Sequence, residues 1–178
     1  MDSFGELFAS QGEYHYNKIN ILIHVICVPQ IVFSLFGLLY NVDDFIPFVG
    51  LTGLLLFILS AFYLKTEFTC GGVTAAWLWV MYFIIKMLHY FNDKQYLPFN
   101  LNTFLFVQHV FSWVAQFIGH GVFEHRSPAL MDNVLLVFNA PFFVTAEILR
   151  HFGWKAKEFE LIDKEIESRV QVFRSKKL

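Results

Sequence analysis

The sequence predicts an all-α integral membrane protein: a bundle of four to five membrane helices followed by an amphipathic C-terminal helix. Three observations predict this fold class. Hydrophobic residues make up 56% of the 178 residues, charged residues only 16%, and phenylalanine alone occurs 23 times, whereas soluble domains carry about a quarter charged residues. Long uncharged runs are separated by short polar turns. The last part of the chain is instead charged, with apolar residues at helical spacing.

The first two predicted membrane helices are the longest uncharged runs. Ile19–Val42 contains no Asp, Glu, Lys or Arg, although it includes His24 and Pro29. At 1.5 Å per residue such a run is long enough to cross a bilayer. A short polar turn follows, and then Phe45–Leu64 forms a second uncharged run.

Two more spans and one shorter run complete the membrane part. Phe68–Ile85 and Leu101–Gly119 predict the third and fourth spans. Asn133–Ala146 is apolar but short, and Pro141 interrupts it. This run is compatible with a fifth membrane helix or with a re-entrant segment.

The C-terminal part changes character. We predict one membrane-embedded domain over residues 1–153 and a charged amphipathic helix over 154–178, lying either on the membrane or on the protein. Its apolar residues recur at helical spacing and are Phe159, Ile162, Ile166, Val170 and Phe173.

Several function classes find no support in the sequence. The net charge of -2 argues against nucleic-acid binding, which needs a basic face. The chain has no phosphate loop, nucleotide fingerprint or nucleophile elbow. Cys27 and Cys70 lie in apolar surroundings, which predicts two free buried thiols. The first residues lack the basic segment of a signal peptide, so insertion is expected to use the first membrane helix.

A stripe of polar and aromatic residues in the fourth span carries the strongest chemical signal. His109, Trp113, Gln116, His120 and Glu124 follow one another at steps of 4, 3, 4 and 4. At 3.6 residues per turn they share one helix face. Unpaired polar groups are costly in hydrocarbon, so this face is expected to look into a polar interior.

Two polar clusters are candidates for a metal site. His120 and Glu124 are four residues apart, so one helix could present both to one ion, and His15, Asn20 and His24 surround the start of the first span. His15 and His24 converge only if the chain bends between them. Imidazole with carboxylate suits iron, zinc or manganese. The alternative is that these histidines simply form hydrogen bonds with neighbouring helices. The remaining histidines, His89, His125 and His151, are expected at membrane boundaries.

Two segments resemble the 2-hydroxy fatty acid dioxygenase family of small endoplasmic-reticulum membrane proteins. The first is Tyr14-His15-Tyr16-Asn17, followed by Asn20, His24 and Val28-Pro29. The second runs from Trp113 through Gln116, Gly119-His120 and Glu124 to Arg126 and Pro128-Ala129-Leu130. The middle spans are similar only in hydropathy.

The resemblance implies an Fe(II)-dependent dioxygenase. The iron ligands that it implies are His15, His24 and His120, with His109, three turns before His120, as a fourth candidate. Glu124 would be a ligand itself or would orient His120 without binding the metal.

The same resemblance implies a reaction that shortens a 2-hydroxy fatty acid by one carbon. Glu124 and Gln116 are the catalytic candidates, and Asn17 and Asn20 are the candidates for substrate binding. Asn17, Asn20 and Gln116 could equally hold the ligating imidazoles, and the sequence does not separate these two roles. The expected partners are a long-chain 2-hydroxy fatty acid, O2 and membrane lipids, without nucleic acid. Oxidising the 2-hydroxy acid to the shorter acid, CO2 and water supplies the four electrons that O2 takes up.

Two other functions compete with this one. The chain could be a non-catalytic accessory subunit of a larger membrane complex that keeps the motif. It could also be a lipid hydroxylase or desaturase, although the closely spaced histidine pairs of those enzymes do not occur in it.

Overall fold

The computed structural model describes residues 3–45 and 50–175, and in this part of the chain it contains seven α-helices and no strand. This confirms the predicted all-α fold. The helices are α1 (Ser3–Gly12), α2 (Lys18–Leu39), α3 (Gly50–Thr66), α4 (Phe68–Asp93), α5 (Leu101–Ile118), α6 (Ala140–His151) and α7 (Ala156–Ser175).

Three helical segments are long and apolar enough to cross a membrane, namely Lys18–Asp43, Phe68–Asp93 and Leu101–Glu124. They correspond to the predicted first, third and fourth spans and support a membrane protein. The second predicted span is the shorter apolar helix α3, which begins at Gly50 and has 17 residues. Residues 46–49 of that prediction lie outside the described residues.

The fifth apolar run does not form a membrane-spanning helix. Val134–Asn139 is a 3-10 helix, and α6 has only 12 residues. Twelve residues rise about 18 Å, well short of a hydrocarbon core of about 30 Å. Pro141 does not interrupt this helix but lies in its first turn, where its missing N–H costs no helical hydrogen bond.

The described chain divides into two compact units, and the first comprises Cys27–Val114. Here α3 packs against α4 at Gly71, where an added Cβ would collide with the backbone of Tyr63. Both cysteines are buried and free, as predicted. His89 is buried, and its Nε2 pairs with the Gly37 carbonyl at 2.8 Å, while its position at a membrane boundary stays a prediction. This bond explains how an imidazole is accommodated among apolar helices.

The second unit consists of the described residues up to Ile26 and those from Ala115 onward. Aromatic side chains of α1, α6 and α7 form its core. The ring of Phe8 lies 4.8 Å from that of Phe143 and 4.9 Å from that of Phe159, measured between centroids. Phe4 lies 6.0 Å from Phe142 and 5.9 Å from Phe159.

The amphipathic C-terminal helix is confirmed, and its apolar face packs on the protein. Phe159, Ile162, Ile166 and Val170 are all buried on one side of α7. Ile166 lies so close to Gly12 of α1 that an added Cβ there would overlap it. Arg169 pairs with Glu6 of α1 at 2.8 Å. This answers the question of whether the helix lies on the membrane or on the protein.

Candidate metal centre

Three histidines from distant parts of the sequence meet in the second unit. His15, His24 and His120 each offer one ring nitrogen, and these atoms all lie within 4.8 Å of one another. The ring centroids are 4.2 to 4.9 Å apart. All three side chains are buried, with 6%, 4% and 3% exposure. Such spacing is compatible with three nitrogen ligands around one ion.

Backbone carbonyl groups orient two of the three rings. His15 follows α1, and its Nδ1–H donates to the Gln11 carbonyl at 2.7 Å. His24 repeats this arrangement nearly two turns into α2, donating from Nδ1 to the Asn20 carbonyl at 2.9 Å. A hydrogen bond at one ring nitrogen fixes the tautomer and leaves the other nitrogen as the electron-pair donor. In both rings that other nitrogen is Nε2.

The third histidine lies on an unusual turn. α5 ends at Ile118, and Gly119–Glu124 continues as a π-helix that carries His120. The His120 carbonyl accepts hydrogen bonds from the backbone N–H groups of His125 and Arg126. Single π-turns within helices occur frequently at functional sites.

The π-turn also changes the position of Glu124. The hydrogen bonds of a π-helix link residues five apart. The side chains of His120 and Glu124, which are four residues apart, therefore do not lie one above the other as they would on an α-helix. Glu124 Oε1 instead accepts from the backbone N–H of Asn17 at 2.7 Å and from Asn20 Nδ2 at 3.1 Å. Glu124 is not a member of the three-histidine group. It fixes the start of α2, the helix that bears His24.

Asn20 is fully buried and links the start of α2 to the π-turn. Its Nδ2 also donates to the Tyr14 carbonyl at 3.3 Å. Its Oδ1 lies against Gly119, where an added Cβ would overlap it. A glycine at this position therefore allows the π-turn to approach α2 closely. Asn17 has a separate local role, since its Oδ1 accepts the Ile19 N–H and caps α2.

The electrostatics of the site are compatible with metal binding. Burial holds the pKa of His15 well below its usual value, and the neighbouring His24, His120 and Arg126 lower that pKa further. A neutral imidazole is the form that binds metals. His15 Nε2 and His120 Nδ1 are buried atoms without a hydrogen-bond partner among the described residues. Because an unsatisfied buried nitrogen is costly, a metal ion is a fitting partner for these atoms.

His109, the fourth predicted ligand, has a different environment and is not a member of this group. It lies in the unit Cys27–Val114, where its Nε2 accepts the indole N–H of Trp113 at 3.0 Å. Its Nδ1 is 2.9 Å from Ser34 Oγ, which in turn donates to the Gln30 carbonyl at 2.8 Å. Both ring nitrogens are therefore engaged in a hydrogen-bonded chain.

Gln116 is buried, and its Nε2 has no hydrogen-bond partner among the described residues. Its predicted catalytic role stays a prediction. Two other contributors went unrecognised. The Gln11 carbonyl orients His15, but backbone acceptors leave no signature in a residue pattern. Arg126 lies in one of the two motifs, and a charged side chain beside an apolar segment is itself a signal of function.

Comparison with known proteins places the chain in a family. A family model described as "2-hydroxy-palmitic acid dioxygenase Mpo1-like" matches residues 1–152. The chain is 32% identical over 163 residues to the "2-hydroxy-palmitic acid dioxygenase MPO1" of Saccharomyces cerevisiae, covering 90% of this chain and 88% of that protein. No solved structure matches it. The matched range contains all three histidines of the group, and the chain belongs to the Mpo1-like family.

Proposed function

We propose that this protein is a membrane dioxygenase that converts 2-hydroxy fatty acids to fatty acids one carbon shorter. The observation that carries the proposal is the buried group of His15, His24 and His120 in a chain that belongs to the Mpo1-like family. In the overall reaction, R–CH(OH)–COOH and O2 give R–COOH, CO2 and H2O. The substrate supplies all four electrons, so no second organic reductant is needed.

We further propose that the three imidazoles hold Fe(II). Neutral nitrogen donors bind ferrous iron well, and three protein ligands leave coordination positions free for small molecules. When bound, the ferrous ion would supply the one-electron chemistry that O2 activation requires. The histidines provide the donor set, and their burial keeps bulk water away from the reacting groups.

The remaining predicted site residues receive distinct roles in this proposal. The hydrogen bonds of Glu124 to Asn17 and Asn20 support a positioning role, because Asn20 in turn orients His24. Gln116 has a buried amide N–H group without a partner, which suits it to binding the substrate carboxylate. Substrate binding by the side chain of Asn17 receives less support, since its Oδ1 already accepts the Ile19 N–H. Asn20 is engaged through Nδ2, whereas its buried Oδ1 has no hydrogen-bond partner among the described residues.

The membrane setting suits a long-chain substrate. The three apolar segments support a location in the bilayer, the solvent in which such acids dissolve. The alkyl chain could reach the site from the bilayer without passing through water. We propose the endoplasmic-reticulum membrane as its location, in keeping with the resemblance of its motifs.

The test is a metal and product analysis of the protein purified in detergent. We expect bound iron, and conversion of 2-hydroxypalmitate to pentadecanoate and CO2 under O2, with no conversion of palmitate. The variants His15→Ala, His24→Ala and His120→Ala should each lose iron and reduce turnover at least 100-fold. His151→Ala is the matched control, since His151 is exposed and outside the site.

Two outcomes would contradict the proposal. A parent protein that binds no metal and leaves 2-hydroxypalmitate unchanged would favour a non-catalytic subunit. Full activity of His120→Ala would show that the reaction occurs elsewhere in the chain.

A further inference from the structure

We propose that Arg126 is a positioning residue that holds His15 in register with His120. The inference rests on the proposed metal centre and assigns to this arginine a role in its geometry. Arg126 lies six residues after His120, and its side chain is nine-tenths buried, with 10% exposure. A guanidinium this deeply buried needs strong partners.

One end of Arg126 is bound to the turn that carries His120. Its backbone N–H donates to the His120 carbonyl at 3.3 Å. The adjacent residue, His125, has a left-handed backbone conformation with φ of 52° and also donates to this carbonyl. The backbone of Arg126 therefore follows any movement of His120.

The other end is bound to the two residues that precede His15. Nη1 donates to the Glu13 carbonyl at 3.0 Å, and Nη2 donates to the Glu13 carboxylate at 2.9 Å. The guanidinium carbon lies 3.5 Å from the centre of the Tyr14 ring. These contacts fix both the backbone and the side chain of the turn between α1 and α2.

Further contacts hold this clamp, formed by Arg126 with Glu13 and Tyr14, in place. The Tyr14 hydroxyl donates to Asp132 Oδ2 at 2.6 Å, and the Phe173 ring of α7 lies 4.2 Å from the guanidinium carbon. The guanidinium thus contacts two aromatic rings as well as Glu13. A planar, forked cation meets all of these contacts at once, whereas a lysine ammonium does not.

His15 depends on such a clamp more than the other two ligands. His24 lies within α2 and His120 within the π-turn, but His15 lies in the turn between helices. The hydrogen bond described for its ring is the one from Nδ1 to the Gln11 carbonyl. Groups that orient metal ligands from behind typically change metal affinity 10- to 100-fold when they are removed.

The test uses Co²⁺, whose visible absorption reports its coordination, and the full chain in detergent. Arg126→Lys keeps the positive charge but loses the two forked N–H donors and the planar shape of the guanidinium. We expect the dissociation constant for Co²⁺ to rise about ten-fold, with a changed absorption spectrum. Arg150→Lys is the matched control, because Arg150 also combines an ion pair with a nearby aromatic ring but contacts neither ligand-bearing turn. It should keep the parent's affinity and spectrum.

A second pair of variants separates geometry from charge and guards against misfolding. Removal of a positive charge near the site would by itself favour cation binding, so weaker Co²⁺ binding by Arg126→Gln would support positioning. Phe173→Ala leaves Arg126 and its charge intact, and should weaken binding about three-fold with a smaller spectral change. Unchanged affinity and spectrum in Arg126→Lys and Phe173→Ala, or tighter binding by Arg126→Gln, would overturn the inference.

The outcome is distinguishable from failure of the proposed function. If the parent binds Co²⁺ but the iron form does not convert 2-hydroxypalmitate, the proposed reaction fails while the role of Arg126 stands. If the parent binds no Co²⁺, the metal centre fails, and the role of Arg126 is overturned with it.

Discussion

Chemically similar histidines have different environments in this protein, and hydrogen bonding distinguishes them. In His15 and His24 one ring nitrogen, Nδ1, donates to a backbone carbonyl, and Nε2 of His15 has no hydrogen-bond donor as a partner among the described residues. In His109 both nitrogens have side-chain partners. An imidazole that is already an acceptor for an indole N–H has no electron pair left for a metal.

This difference leads to a prediction about metal content. His24→Gln should abolish iron binding, because the neutral amide replaces a ligand. His109→Gln should retain the full metal content, although loss of its hydrogen bonds should lower the free energy of unfolding by about 1–2 kcal/mol. Metal analysis of both purified variants, together with thermal unfolding, makes the comparison. Loss of iron from His109→Gln would return His109 to the ligand set.

A second residue-scale prediction concerns pH and stability. Burial raises the pKa of Glu147 in α6 from an ordinary 4.5 to about 7, although the nearby Arg150 opposes this shift. A raised pKa in the folded state stabilises the protein fully below pH 4.5, and this contribution is lost as the pH rises through 7. Glu147→Gln should therefore change little at pH 4 but raise the free energy of unfolding by about 2–3 kcal/mol at pH 8. Urea titrations at the two pH values measure this, and an equal effect at both would contradict it.

At the scale of elements, the π-turn Gly119–Glu124 determines which groups meet. On a regular α-helix, the spacing of the polar stripe would place His120 and Glu124 one above the other. The actual turn directs Glu124 to the start of α2 instead. The positions of His15, His24 and His120 in the sequence indicated a shared site. The π-turn was not predictable, because close contact between Gly119 and Asn20 arises only in the folded chain.

Glycines in this turn provide a matched pair of variants. Gly119→Ala should displace the turn, because the new Cβ would overlap Asn20 Oδ1, and Asn20 is held in place by Glu124. We expect a loss of about 1–3 kcal/mol in unfolding free energy and weaker Co²⁺ binding. Gly121→Ala is the control, since nothing lies within 4 Å of its added Cβ. Equal behaviour of the two variants would show that the close approach is unimportant.

Prediction of the other elements from sequence succeeded where the signal was local. The length of the uncharged runs identified three spans, and the helical spacing of apolar residues identified the buried face of α7. For the run around Val134–Asn139 it left a fifth membrane helix and a re-entrant segment open, and the backbone forms a 3-10 helix that excludes only the first. It did not identify the partner of His89, because the Gly37 carbonyl is distant in sequence.

At the scale of the whole molecule, the candidate metal centre connects three segments that no single element holds together. Ligand binding to the folded state alone raises stability by mass action. With free metal at 100 times its dissociation constant, the free energy of unfolding should rise by about 2.7 kcal/mol. Chelator treatment should remove this increment and lower the melting temperature. Thermal scans with and without Co²⁺ measure it, and His15→Ala should show no metal dependence. A melting temperature independent of metal would contradict a structural contribution of the site.

The packing of α1 has a consequence for how the protein is made. The rings against which Phe4 packs belong to Phe142, Trp154 and Phe159, in the last part of the chain to be synthesised. At about 5–20 residues per second, translation reaches them roughly 7–30 s after α1. Throughout that interval the first helix lacks its native aromatic neighbours, and His15 lacks the segment that bears His120 until translation has passed that histidine. The native packing of α1, which precedes the turn that bears His15, is therefore completed only late in synthesis.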